Sequence, residues 1–145
     1  MLALRTLRLV LWVAALASAL AAETRITVLA TTDLHGNVYD TDYFTGRTAA
    51  RGLARVAAHI RAVRSENPNT ILIDCGDTIQ GTPLESVWQY WVTNGRLPAR
   101  LKWPGTPPPI DPMMLAMNSL GYDAMVPGNH EFNFGLKNLN AARDA

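Results

Sequence analysis

The chain has 145 residues, a formal net charge of +1, and 48% apolar against 17% charged residues. A charge so close to balance supplies no broad field for a nucleic-acid polymer or an acidic membrane surface, and the length allows one domain at most. The one cysteine, Cys75, cannot form an intramolecular disulfide, which excludes a disulfide-held scaffold.

Residues 1–22 read as an export signal. Arg5 and Arg8 precede the apolar run Leu9 to Leu20, and Ala19-Leu20-Ala21 offers a small-x-small cleavage site. That run is shorter than the roughly 18 to 20 residues a membrane-spanning helix needs, so the expectation is cleavage rather than a stable membrane anchor. The mature chain, residues 23–145, is then periplasmic or secreted.

Arg25 to Ala30 is a β-branched, apolar run that ends in the polar segment Thr31 to Asn37, the pattern of a strand entering a loop. After a polar and aromatic connection from Asn37 to Thr48, the residues Leu53, Val56, Ala57, Ile60 and Val63 recur at helical spacing. Asn67-Pro68-Asn69 closes that helix, and His59 within it reads as a solvated or core histidine. Thr70 to Cys75 is expected as a buried strand, with Cys75 a small buried hydrophobe. Gly76 to Pro83 is a loop, and Leu84, Val87, Trp88, Trp91 and Val92 form a second helical stripe whose tryptophans are core.

Residues Asn94 to Pro109 are rich in proline and read as an exposed excursion. Asp111 then caps a third helix, Pro112 takes its first turn, Met113, Met117 and Leu120 face inward, and Gly121 ends it. A short strand from Asp123 to Val126, a loop from Pro127 to Phe134, and a helix from Leu136 still running at Ala145 complete the chain. Alternation of strand, loop and helix predicts an α/β layered fold, a sheet flanked by helices, with ligands gathered at the loops after the strands.

Three such loops open with potential metal ligands: Asp33-x-His35, Gly76-Asp77, and Gly128-Asn129-His130-Glu131. Each alone is an ordinary turn sequence. Their recurrence at one topological position would bring carboxylates, imidazole and amide to one rim of the sheet. Hydrolysis of a phosphate ester at neutral pH needs an activated water and neutralised phosphoryl charge, which two metal ions about 3.5 to 4 Å apart provide. Asp77 suits the bridge, with Asp33 and His35 on one ion and the Asn129 carbonyl oxygen on the other. His130 is placed to reach substrate as a general acid or donor.

Thr32-Asp33-Leu34-His35-Gly36-Asn37, Asp74-Cys75-Gly76-Asp77-Thr78 and Gly128-Asn129-His130-Glu131-Phe132 resemble the first three motif blocks of the calcineurin-like metallophosphoesterases. More narrowly, they resemble the exported 5′-nucleotidase and 2′,3′-cyclic-nucleotide 2′-phosphodiesterase group. The resemblance implies that Asp33, His35, Asp77 and Asn129 bind metal, that His130 is catalytic, and that Glu131 has a supporting role. It implies two divalent ions, for which zinc, manganese, iron or cobalt suits mixed oxygen and nitrogen ligands better than calcium. The substrate would be a small nucleotide ester.

Family members bring further histidines from a later strand and a Gly-His-x-His loop, and then a C-terminal domain with the nucleoside pocket. Residues 23–145 are therefore expected to be an N-terminal part of the catalytic domain, incomplete and inactive alone. The 5′-nucleotidase branch has an aspartate three residues after the catalytic histidine, where this chain has Asn133. An amide orients the ring without bringing negative charge. Asn133, with Asp33-Leu34-His35-Gly36-Asn37 and Asp42-Tyr43-Phe44, resembles the 2′,3′-cyclic-nucleotide phosphodiesterase and 3′-nucleotidase branch, which implies that activity over 5′-nucleotidase or UDP-sugar hydrolase activity. A catalytically inactive exported domain of the same fold is the remaining alternative.

Overall fold

The computed structural model describes residues 12, 23–101 and 108–145. The expected signal segment and its cleavage site, and the centre of the proline-rich excursion at residues 102–107, lie outside the described residues. In chain order the elements are β1 (Thr27–Thr31), α1 (Leu53–Glu66), β2 (Thr70–Asp74), α2 (Pro83–Asn94), α3 (Pro112–Leu120), β3 (Ala124–Met125), a short 3-10 helix (His130–Phe132) and α4 (Leu136–Arg143). Among the described residues, no helix is long and apolar enough to cross a membrane.

The strands form one parallel sheet in the order β1-β2-β3, with Thr27 opposite Thr70 and Asp74 opposite both Thr31 and Met125. Strand β1 begins two residues later than the β-branched run suggests, because β2 offers no partner before Thr70. The Arg25 carbonyl instead accepts the side-chain amide of Asn67 at 3.1 Å. Strand β3 is short, and the Asp123 carboxylate extends it by accepting the Leu72 N–H at 2.7 Å while its own N–H reaches the Leu72 carbonyl at 2.8 Å.

Side chains alternate across a strand, so Leu29, Leu72 and Asp74 share one face and Val28, Ile71 and Cys75 the other. Leu72 has no solvent exposure, whereas Val28 and Ile71 are 58% and 43% exposed. The same parity makes Cys75 exposed, which corrects its expected burial. On the covered face, Leu53 of α1 meets Met113 and Met117 of α3, surrounded by Leu34, Val56, Leu120 and Met125. Trp88 is buried, and its indole N–H donates to the Pro108 carbonyl at 3.0 Å. His59 is exposed on α1.

Helix starts show how the loops are held. The first N–H groups of α1 have no side-chain cap; those of Leu53 and Ala54 donate to the carbonyls of Asn37 and Val38 at 2.8 Å each. The loop after β1 is thus tied to the helix that follows it. Asp111 caps α3 through the N–H groups of Met113 and Met114, and Gly121 ends it in the left-handed region, as its sequence predicts. Helix α4 stops at Arg143 rather than running on, and the N–H of Asp144 closes onto the Asn140 carbonyl at 2.9 Å.

Asp111 also belongs to a buried polar cluster. Its Oδ2 accepts from Gln89 Nε2 at 3.3 Å, and Gln89 in turn accepts from Asn138 of α4 at 2.6 Å. Glu85 lies in the same layer with no solvent exposure and no hydrogen-bond partner for either carboxylate oxygen. Burial first, and then the neighbouring Asp111 charge, push the Glu85 carboxyl up to about 10 from its ordinary 4.5. Glu85 is therefore neutral in the folded protein at neutral pH, while in the unfolded chain it ionises.

The folded state then binds the extra proton, so stability falls as pH rises above about 4.5 and is lost progressively up to about 10. Glu85→Gln removes this dependence. Urea midpoints measured between pH 5 and pH 9, about the middle of that window, should decline for wild type and flatten for the variant. Equal slopes in the two proteins would contradict the assignment.

Candidate metal centre

The hydrogen-bond ladder between β1 and β2 does not end with the strands. The N–H of Cys75 reaches the Thr31 carbonyl at 2.8 Å, and then Asp33, His35 and Gly36 donate to the carbonyls of Gly76, Asp77 and Thr78 at 3.0, 2.9 and 2.8 Å. Two loops thus run side by side off the carboxyl ends of their strands. They do so only by taking up unusual backbone. Asp33, His35 and Asp77 have φ of 54°, 46° and 59°, and they are the non-glycine residues with positive φ among the described residues. A left-handed non-glycine residue costs roughly 1–2 kcal/mol. All three are residues expected to bind metal, so the strain is concentrated at the expected ligands.

The loop after β3 packs against the loop after β2 through glycine. A Cβ on Gly76 would lie 2.3 Å from the Gly128 nitrogen, and a Cβ on Gly128 would lie 2.3 Å from Asp77 Oδ1. No larger residue fits between these backbones. Glu131 fastens them. Its carboxylate is fully buried; Oε2 accepts the N–H groups of Asp77 at 2.8 Å and Gly128 at 2.6 Å, and Oε1 those of Thr78 at 2.5 Å and Ile79 at 3.2 Å. Asp74 does the same one layer below. It accepts the Gly76 N–H at 2.9 Å and the hydroxyls of Thr78 and Thr31 at 2.7 and 2.6 Å.

On this frame, ligand atoms of His35, Asp77 and His130 come within 4.8 Å of one another. The two imidazoles meet edge to face with centroids 5.1 Å apart, and the backbone N–H of His130 donates to Asp77 Oδ1 at 3.0 Å. Asp33 joins the cluster through Oδ1, 3.7 Å from His35 Nε2. Asn129 heads the 3-10 helix beside His130, exposed to solvent. The structure therefore gathers Asp33, His35, Asp77 and His130, and sets Asn129 at their margin.

The donor set suits a divalent cation. His35 Nδ1 faces the Gln80 carbonyl at 3.0 Å, which can only accept, so that nitrogen carries a proton and Nε2 is the nitrogen left for a ligand. Nε2 lies 3.7 Å from Asp33 Oδ1, and either a proton on Nε2 or a metal ion between the two would satisfy both atoms. Carboxylate and imidazole donors match zinc, manganese, iron or cobalt.

Two functional residues carried little or no signal in the sequence. Glu131, expected only in support, is the junction of two loops, and its burial next to a histidine motif cannot be read from spacing. Gln80 received no role, although its carbonyl holds His35 and its side-chain oxygen meets His130 Nδ1 and accepts from Asn133 Nδ2 at 2.7 Å.

The family profile described as calcineurin-like phosphoesterase matches residues 26–144. The chain is 42% identical over 121 residues to the trifunctional nucleotide phosphoesterase protein YfkN of Bacillus subtilis, covering 83% of this chain and 8% of that protein. It is 40% identical over 123 residues to a 2′,3′-cyclic-nucleotide 2′-phosphodiesterase/3′-nucleotidase of Yersinia enterocolitica, covering 84% of this chain and 17% of that one. It is also 34% identical to the 5′-nucleotidase of Bos taurus over 119 residues, 79% of this chain and 17% of the relative. The crystal structure of the calcineurin-like phosphoesterase YfkN superposes with a TM-score of 0.66 at 38% identity, covering 81% of this chain and 33% of that chain. The chain thus spans less than a fifth of the length of these sequence relatives.

Glu131→Ala would strand four N–H groups, those of Thr78 and Ile79 buried and those of Asp77 and Gly128 partly so. At about 1–3 kcal/mol for each unsatisfied group, partly recovered by water, the variant should lose more than about 3 kcal/mol in chemical denaturation. An unchanged midpoint would show that the carboxylate does not hold the loops.

Proposed function

The chain belongs to the calcineurin-like phosphoesterase family, and from that premise we propose that it forms the N-terminal part of the catalytic domain of an exported, two-metal hydrolase of nucleotide phosphate esters. The observation that carries the reading is the convergence of His35, Asp77 and His130 from loops after three parallel strands. Asp33, His35, Asp77 and the Asn129 side chain would hold the ions, with Asp77 shared. When bound, such a pair supplies a hydroxide at neutral pH and neutralises charge on the phosphoryl group. The left-handed backbone at Asp33, His35 and Asp77 helps present their side chains together.

His130 would act on the phosphoryl group through Nε2, as acid or hydrogen-bond donor when that nitrogen is also protonated, because its Nδ1 is engaged by Gln80. A second reading, in which His130 is itself a metal ligand, has support in the closeness of its ring to His35 and Asp77. Metal analysis separates the two: His130→Ala keeps its bound metal if the ring serves substrate, and loses it if the ring is a ligand.

We infer a preference for 2′,3′-cyclic nucleotides and 3′-nucleotides over 5′-nucleotides. Asn133 carries this inference, with its amide nitrogen 2.8 Å from His130 Nδ1. Relatives at 40%, 38% and 35% identity are described as 2′,3′-cyclic-nucleotide 2′-phosphodiesterase/3′-nucleotidase, and 5′-nucleotidases of snake venom and cattle stand at 35% and 34%. The comparison is of kcat/KM for 2′,3′-cyclic AMP, 3′-AMP and 5′-AMP on the metal-loaded full-length protein. Wild type should favour the first two, and Asn133→Asp should move the ratio toward 5′-AMP by up to about tenfold, the scale of one hydrogen bond in the transition state. A wild-type preference for 5′-AMP would overturn the branch and leave the metal centre standing.

A further inference from the structure

Gln80 lies on the loop after β2, with no motif residue of its own, yet both site histidines end on it. Its backbone carbonyl accepts from His35 Nδ1 at 3.0 Å. Its side-chain oxygen Oε1 contacts His130 Nδ1 and accepts from Asn133 Nδ2 at 2.7 Å. An amide oxygen has no hydrogen to give, so the nitrogens that meet it must be protonated. Each ring therefore carries a proton on Nδ1, which leaves Nε2 as the nitrogen free for a ligand or substrate.

With Asn133 presenting its NH2 group, Gln80 presents its oxygen; turned over alone, the Gln80 NH2 group would face the Asn133 NH2, donor against donor, and the 2.7 Å bond would be lost. The Asn133 nitrogen also lies 2.8 Å from His130 Nδ1, but with a proton on that ring nitrogen the contact cannot be a hydrogen bond, which leaves Gln80 Oε1 as the acceptor for both. His130 thus has its tautomer set by a neutral oxygen whose direction Asn133 fixes.

We propose that Gln80 is a positioning residue that locks both site imidazoles in the Nδ1–H tautomer, His35 through its main chain and His130 through its side chain. For activity this rests on the reading of His130 as a substrate-facing group, and the two halves are separable. Substitution of Gln80 removes the side-chain oxygen and leaves the carbonyl, so His130 should be released while His35 stays fixed. A role in packing alone would not divide the histidines in this way.

The experiment uses full-length protein with 15N-labelled histidine, metal-free and at one fixed pH, each ring assigned by its own substitution to glutamine. Long-range 1H–15N spectra of wild type should show the Nδ1–H pattern for both rings. In Gln80→Ala, His35 should keep that pattern and His130 should become a mixture of tautomers. Gln80→Glu keeps an acceptor oxygen and should restore it. On metal-loaded protein, Gln80→Ala should lower kcat roughly ten- to a hundredfold with KM near its wild-type value, and Gln80→Glu should recover most of the loss. If Gln80→Ala does not fold, Gln80→Met, of similar length and without the oxygen, carries the same comparison. An unchanged His130 spectrum, or equal disturbance of both rings, overturns the proposal. A released His130 with unchanged kcat supports the positioning and overturns the catalytic role of His130 instead.

Discussion

A carboxylate shut off from solvent needs donors on every side, and Glu131 finds them in the backbone N–H groups of Asp77, Thr78, Ile79 and Gly128. That requirement shapes the centre. The loop after β2 must turn its amides toward a single point, while the Asp77 carboxylate accepts the backbone N–H of His130 from the loop after β3. The loop after β3 must approach within backbone contact, which only glycine at 76 and 128 permits. His130, the neighbour of Glu131 in the chain, is then carried to Asp77 and His35. Structural and chemical residues alternate along this segment because one anchors what the other uses.

Parallel strands make this economical. Their carboxyl ends lie on one side, so side chains distant in sequence meet with no long excursion of the chain. The ladder continuing from Thr31 and Cys75 into Asp33, His35 and Gly36 extends sheet order into the loops, and left-handed residues bend them inward without breaking it. A site assembled on hydrogen-bonded backbone holds its shape before ligands bind, which is what electrostatic catalysis asks of it. The exposed face of the sheet, with Val28, Ile71 and Val126, takes no part in it.

Much of the fold was legible because local signals agreed. The caps of α3, Asp111 and Gly121, and the stripe of Leu53, Ala57 and Ile60 in α1 each have a single physical reading, and the structure follows them. Cys75 was misread because an apolar run does not reveal which face is covered; parity from Leu72 decides it, and that needs the partner helices. The start of β1 depended on where β2 begins. At the site, Asp33, His35, Asp77 and His130 were legible as residue types that bind metal or move protons at recurrent positions. Gln80 was not, because it acts through a main-chain carbonyl and an amide that any loop glutamine possesses. Sequence shows which groups could do chemistry more readily than it shows what aims them.

The central claim is that these three loops converge on a divalent metal. Crystals of the full-length protein soaked in manganese, with anomalous data collected at the manganese edge, test it directly. The account predicts an anomalous peak bounded by Asp33, His35 and Asp77, with the His35 ring still donating from Nδ1 to the Gln80 carbonyl. A crystal saturated with manganese that shows no peak among these side chains, or shows it elsewhere on the surface, would contradict the account.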